Sequence, residues 1–290
     1  MTISATLVKD MRERTGLGMM ECKRALEQAG GDIEAAIEAV RTSGQAKADK
    51  KAGRVAAEGV VVVTAQAGAG AAVEVNCETD FVAKDENFAR FAEQVGALAL
   101  AHGPADAAAL GALPMDGKTV DETRAELVAR IGENIQLRRC VRLGAGDGER
   151  VGAYRHGTRI AVLVRLAGGS DELAKDLAMH IAASRPLCVS EADIPAEVLE
   201  RERRIYDAQA AESGKPADIR AKMVEGRVRK YAAEVTLLGQ PFVKDPETTV
   251  DKLVKNAGAR VLEFVRYEVG EGIEKRADDF VAEVMKQAQA

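Results

Sequence analysis

Gly59-Val60-Val61-Val62-Val63-Thr64-Ala65, then the glycine-rich turn Gly68-Ala69-Gly70, then Ala71-Ala72-Val73-Glu74-Val75-Asn76-Cys77 decide how this chain is read. A short run of β-branched residues bounded by glycine reads as a buried strand, and two such runs joined by a tight turn read as a hairpin. Downstream, Phe88, Phe91, Ala92 and Val95 recur at helical spacing, Glu122 to Gly132 reads as a second helix, and Ile135 to Leu143 as a third strand. The order is β-β-α-α-β.

The order recurs in the second half. Gly152 to Tyr154 and Ile160 to Leu166 read as a hairpin around His156-Gly157. Ala72-Val73-Glu74-Val75 matches Ala161-Val162-Leu163-Val164, and Phe88-Ala89, Phe91-Ala92 and Val95 parallel Leu173-Ala174, Leu177-Ala178 and Ile181. Gly132 to Leu143 aligns with Gly258 to Val269, placing Val141-Arg142 opposite Val265-Arg266. Such internal similarity marks a repeated structural unit. The expected fold class is α+β with a duplicated core, repeat one over 59–146 and repeat two over 147–270.

Repeat two is longer. An insertion at about 190–237 reads as two helices separated by Ser213-Gly214-Lys215-Pro216. Val198 and Ile205 stand one heptad apart, as do Leu199 and Tyr206, and Val224, Val228, Tyr231 and Val235 keep the same stripe. This is the pattern of a projecting helical hairpin with a coiled-coil seam, suited to self-association. A C-terminal helical module is expected over 271–290, with Phe280, Val281, Val284 and Met285 on one stripe.

Ahead of the core, three short helices are expected within 1–43. Leu7, Val8 and Met11 follow a candidate cap at Ser4 and stop at Gly16-Leu17-Gly18. Cys22, Ala25 and Leu26 share one face of a second helix, and Ile33, Ala36, Ile37 and Val40 follow the cap Asp32. The pattern is similar to a ubiquitin-associated-type domain. Met19 and Met20 are adjacent, so both cannot enter one small core, and flexible Met suits adaptable binding surfaces. Residues 44–58, with Lys47, Lys50 and Lys51, read as a basic linker.

Composition narrows the function. Apolar residues at 47% and charged ones at 30% are ordinary for a globular chain, so disorder is not expected. A net charge of −5 argues against a dedicated nucleic-acid binder, which needs basic surface to displace phosphate counterions. No run of about 18 apolar residues occurs and no secretory pattern opens the chain, so a cytoplasmic protein without a membrane segment is expected. Cys22, Cys77, Cys140 and Cys188 form no CxxC motif, and His102, His156 and His180 lack ligand spacing. Gly68-x-Gly70 has neither the third glycine nor the following helix of a dinucleotide fingerprint. The residues assemble no catalytic constellation, so no cofactor and no enzymatic role are expected.

One segment invites a partner. Between the strand ending at Cys77 and the helix of Phe88 and Phe91, Asp85 is a good helix cap, leaving Phe81 in a turn beside Asp80 and Lys84. Residue type alone favours Phe81 in the core, while its loop position suits a probe for a partner's pocket.

TDFVAKDENF (79–88), LVKDMRERTGLGMMECKRAL (7–26), IGENIQLRR (131–139), YRHGTRIAVLV (154–164), GQPFV (239–243) and FVRYEVGEGIEK (264–275) together resemble the bacterial elongation factor Ts family. The likeness is collinear from about Leu7 to Ala282. It implies a guanine nucleotide exchange factor for elongation factor Tu, the GTPase that delivers aminoacyl-tRNA. It further implies that Arg12, Met19 and Met20 touch the partner's GTPase domain. Thr79, Asp80, Phe81 and Val82 would enter that domain and dislodge Mg²⁺, and His156-Gly157 would touch its C-terminal barrel. Two rival classes are a non-enzymatic adaptor built on the helical domain and a nucleotide-using enzyme. Labelled-GDP release from Tu and equilibrium dialysis with nucleotide separate them.

Overall fold

The computed structural model describes residues 3–274, so the C-terminal helical module expected over 271–290 lies, from residue 275 onward, outside the described residues. The chain opens with α1 (Ala5–Thr15), α2 (Met19–Gln28) and α3 (Ile33–Lys51). Ser4 accepts from the Leu7 amide and Asp32 from those of Glu34 and Ala35, so two of the three helices start on side-chain caps. Met11, Leu17, Cys22, Leu26 and Ala36 form their small core.

The first sheet comprises β1 (Glu58–Gln66), β2 (Ala69–Cys77) and, after a helical excursion, β5 (Gln136–Gly144), in the antiparallel order β1-β2-β5. The excursion contains α4 (Asp80–Ala83), α5 (Glu86–His102), α6 (Ala107–Gly111), the miniature strands β3 (Pro114–Met115) and β4 (Lys118–Thr119), and α7 (Val120–Ile131). The tight turn is Ala67-Gly68 rather than Gly68-Ala69-Gly70. Gly70 lies inside β2, where a Cβ would come 2.7 Å from Leu163 Cδ2. It is therefore a close-approach glycine.

All of β2 is buried because both faces are covered. Val73, Val75 and Cys77 pack with Phe88, Phe91, Val95, Val128 and Ile135. On the other face, Ala72 joins Val61, Leu143, Ala161, Leu163 and Val269 in a cluster between the two sheets.

The second sheet takes β6 (Glu149–His156), β7 (Ile160–Ala167) and β10 (Arg260–Glu268) in the order β10-β7-β6. Its connectivity is that of the first: a hairpin whose second strand pairs with the last strand of the unit. Between them lie α8 (Asp171–Ser184), α9 (Ala196–Ala211), α10 (Ala217–Val235), β8 (Pro241–Phe242), β9 (Asp245–Thr249) and α11 (Val250–Asn256). The β3–β4 and β8–β9 hairpins are a correspondence that sequence reasoning missed. Met115 and Phe242 are both buried, Thr119 and Thr249 both cap the next helix, and Val120 and Val250 are both buried behind the cap.

The linker expected over 44–58 is corrected: α3 continues to Lys51, and only the following residues before Glu58 are non-helical connection. No breaker stands between Ala46 and Lys51, and tertiary contact secures the helix. Ala48 enters the first core cluster with Ala125 and Val128, and Gly44 lies against Ala129 on α7. The inserted hairpin stands on a stapled base. Leu187 N donates to Val235 O, Leu237 N to Cys188 O, and Leu238 N to Val189 O.

Candidate partner-binding surface

The turn after β2 is built to hold Phe81 outward. Cys77 is buried, and burial pushes its thiol up to about 12, so it stays protonated and donates to Thr79 O at 3.1 Å. Thr79 caps α4, its Oγ1 accepting from Val82 N at 3.3 Å. The same hydroxyl donates to Glu133 Oε1 at 2.6 Å, while Glu133 Oε2 accepts from the amides of Glu78 (3.1 Å) and Thr79 (3.0 Å). Val82 is buried in the first core. It anchors the turn from below, in the free chain on the core side of the turn. Asp80 and Phe81 are exposed, and Phe81 keeps 81% of its surface in solvent. The core reading of Phe81 does not hold. Asp80 receives a hydrogen bond from Lys84 Nζ at 2.7 Å, which holds its carboxyl below the usual range.

The other candidate residues lie on separate elements. Arg12 is exposed on α1. Met19 and Met20 open α2 and are 55% and 66% exposed, so neither fills the small core. His156 ends β6 with Gly157 in the turn beyond it, both exposed. His156 Nδ1 lies 3.1 Å from the Tyr154 hydroxyl. Val61 N donates to Thr158 O at 2.8 Å, tying the base of that tip to β1. No hydrogen bond or ion pair joins these three regions among the described residues. They are three projecting features, not one pocket. The described residues also contain no group of His, Cys, Asp and Glu able to hold a metal ion.

Comparison with known proteins gives the family of the chain. The family described as elongation factor TS matches residues 78–271, from the edge of the Phe81 turn through the second sheet. Elongation factor Ts of Thioalkalivibrio sulfidiphilus is 63% identical over 291 residues, covering 100% of this chain and 99% of that protein. The Methylococcus capsulatus protein of the same name is 57% identical, with 100% of both chains covered. That of Idiomarina loihiensis is 55% identical over 100% of this chain and 99% of its own. The chain belongs to the elongation factor Ts family.

Within this family member, sequence reasoning singled out the Phe81 turn but missed what holds it. Glu133 sits 54 residues from Thr79, and nothing local in Gly132-Glu133-Asn134 states which backbone its carboxylate meets. The available signal was a carboxylate directly after the helix-ending Gly132, where φ is 91°. Glu74 was missed as well. It is wholly buried on β2 and accepts from Arg138 (2.8 Å), Arg139 (2.6 Å) and Gly270 N (2.8 Å). An acidic residue amid valines is legible as odd, but its partners come from distant strands.

Proposed function

We propose that this elongation factor Ts family member is the guanine nucleotide exchange factor of elongation factor Tu, binding its GDP form and promoting GDP release during translation elongation. The reading is supported chiefly by Phe81. A buried aromatic is worth roughly 1.5–3 kcal/mol, yet this one is held in water on a turn fixed by three hydrogen bonds and a buried Val82. A fold gains nothing from that arrangement. A partner that opens a pocket for the ring gains the full burial.

The mechanism is linkage. If a factor prefers the nucleotide-free GTPase, the nucleotide must be weakened by the same free energy with which it weakens the factor. Phe81 supplies apolar contacts available only in the opened state, worth a factor of about 10 to 100. Asp80 brings negative charge near the Mg²⁺ and phosphate site of Tu, while Thr79 and Val82 keep the turn in shape. Met19, Met20 and Arg12 give a second contact with the GTPase domain, and His156 with Gly157 a third on the C-terminal barrel. No bond is made or broken by this chain, and it needs no cofactor. No described helix is long and apolar enough to cross a membrane, and the cytoplasm, where Tu works, is the proposed compartment.

The test is release of labelled GDP from Tu with and without this protein, and with Phe81→Ala. The variant is expected to slow stimulated release about tenfold or more while its thermal midpoint stays put, since the ring is exposed. Wild-type release by Phe81→Ala would remove the insertion reading. A large fall in stability would return Phe81 to a folding role.

A further inference from the structure

We propose that the turn Gly132–Gln136 is a shared mount for two of the contact features, with Glu133 as the positioning residue for Phe81. On one side, Glu133 takes the amides of Glu78 and Thr79 and the Thr79 hydroxyl. Glu78 returns the arrangement, its Oε1 accepting from Asn134 N at 2.6 Å. Each carboxylate thus caps the backbone that carries the other, and all four bonds are charge-assisted.

On the other side, the same turn grips the end of α3. Asn134 is 1% exposed, and its Nδ2 donates to Arg54 O at 2.7 Å and Ala52 O at 3.4 Å. Gln136 Nε2 donates to Ala52 O at 3.0 Å, and Lys51 Nζ donates to Gly132 O. Arg54 also lies 3.5 Å from Glu78. Helix α3 is unbroken from Ile33 to Lys51, so fixing 51–54 fixes the helical unit that carries Met19 and Met20. With the packing of α3 on α7, these five residues, belonging to neither feature, tie the turn that carries Phe81 to the end of the helical unit that carries the methionine pair. Preorganisation of this kind raises affinity by removing the ordering cost at encounter.

The functional arm rests on the reading that Phe81 enters Tu, so two measurements are needed. In GDP release, Glu133→Ala is expected to slow stimulated exchange about tenfold, because two backbone amides lose their acceptor. In the Phe81→Ala background the same change should cost less than about twofold, since a residue acting only through the ring has nothing left to position. Glu133→Gln should recover most of the loss, its carbonyl accepting the amides of 78 and 79 while its NH₂ donates to the Thr79 hydroxyl. Losses that multiply in the double variant would overturn the positioning role.

Amide hydrogen exchange of the protein alone decides the mount independently of Tu. Glu133→Ala should speed exchange at Glu78, Thr79 and Val82 while β2 and α5 stay protected. Asn134→Ala should speed it at Ala52 and Arg54, whose amides bond back to Ala48 and Lys51. Unchanged exchange at those amides would overturn the proposal. If Phe81→Ala released GDP at the wild-type rate, the functional reading would fall while hydrogen exchange still judged the mount.

Discussion

The Glu74 carboxylate, wholly buried on β2, lies 2.6 Å from the Arg139 guanidinium on β5, which in turn stacks 4.1 Å from the centre of the Tyr267 ring on β10. One acidic side chain thus ties the first sheet to the second. Arg138 and the Gly270 amide complete its shell. Breaking a buried pair from one side costs about 3 kcal/mol, an upper bound here because Arg139 keeps Glu271 and the Glu268 carbonyl, and Arg138 the Glu271 carbonyl. Glu74→Ala is expected to lower the unfolding free energy extrapolated from urea titration by up to that amount. A free energy within about 0.5 kcal/mol of wild type, the range of ordinary surface substitutions, would show that the network carries no stability.

His180 gives the pH dependence. Val243 N donates to its Nδ1 at 3.2 Å, so the proton sits on Nε2, 2.9 Å from Gln240 Oε1. Burial pushes the imidazole below its ordinary 6.5. The unfolded chain therefore binds the proton more tightly. Stability is full above about pH 6.5 and is lost as pH falls from there through the folded value, by at most about 1.4 kcal/mol per unit. Urea titrations at pH 7.5 and 5.5 should show the loss, and His180→Gln should flatten that slope. An equal slope in the variant would assign it to other groups.

Cys77 should be silent to thiol reagents. Its thiol is buried and pushed to about 12, so little thiolate exists near neutral pH. Alkylation of the native protein at pH 8 followed by peptide mapping should leave Cys77 unmodified, with labelling only after urea. Rapid native labelling would mean that β2 opens locally.

The α9–α10 hairpin should be removable. The two helices pack on each other, and the base is held by 187–189 together with the last residues of α10 and the segment after it, outside 196–230. Replacing 196–230 by a short linker is expected to keep both sheets and most exchange activity, because closure entropy changes slowly with length. Circular dichroism should show lost helix and retained cooperativity. Collapse of the transition would make the hairpin part of the core.

Truncation should depend sharply on where it falls. Removing 1–43 takes away Met19 and Met20 but leaves Ala48 over α7, so the core should stay folded and bind Tu more weakly. Removing 1–53 also uncovers Ala125 and Val128 beneath Ala48 and should lower the thermal midpoint further. Equal midpoints for the two truncations would contradict the role given to residues 44–51.

The sequence by itself determined what short-range physics controls. Valine runs at 59–77 and 160–166, caps at Ser4, Asp32 and Asp85, and the recurrence of one unit all depend on residues a few positions apart. The two hairpins, the inserted helices and the position of the turn at Phe81 were legible for that reason. Tertiary structure alone decided the rest. Residues 44–51 look like a solvated basic run, yet they are helix because α7 lies beneath Ala48 and Gly44. Phe81 is apolar enough for a core, yet it stays outside because Val82 takes the interior position and Glu133 holds the backbone that carries it. Glu74 survives burial because Arg138, Arg139 and Gly270 converge from distant strands. Each is a balance between a local preference and contacts dozens of residues away, and those contacts exist only once the chain has closed.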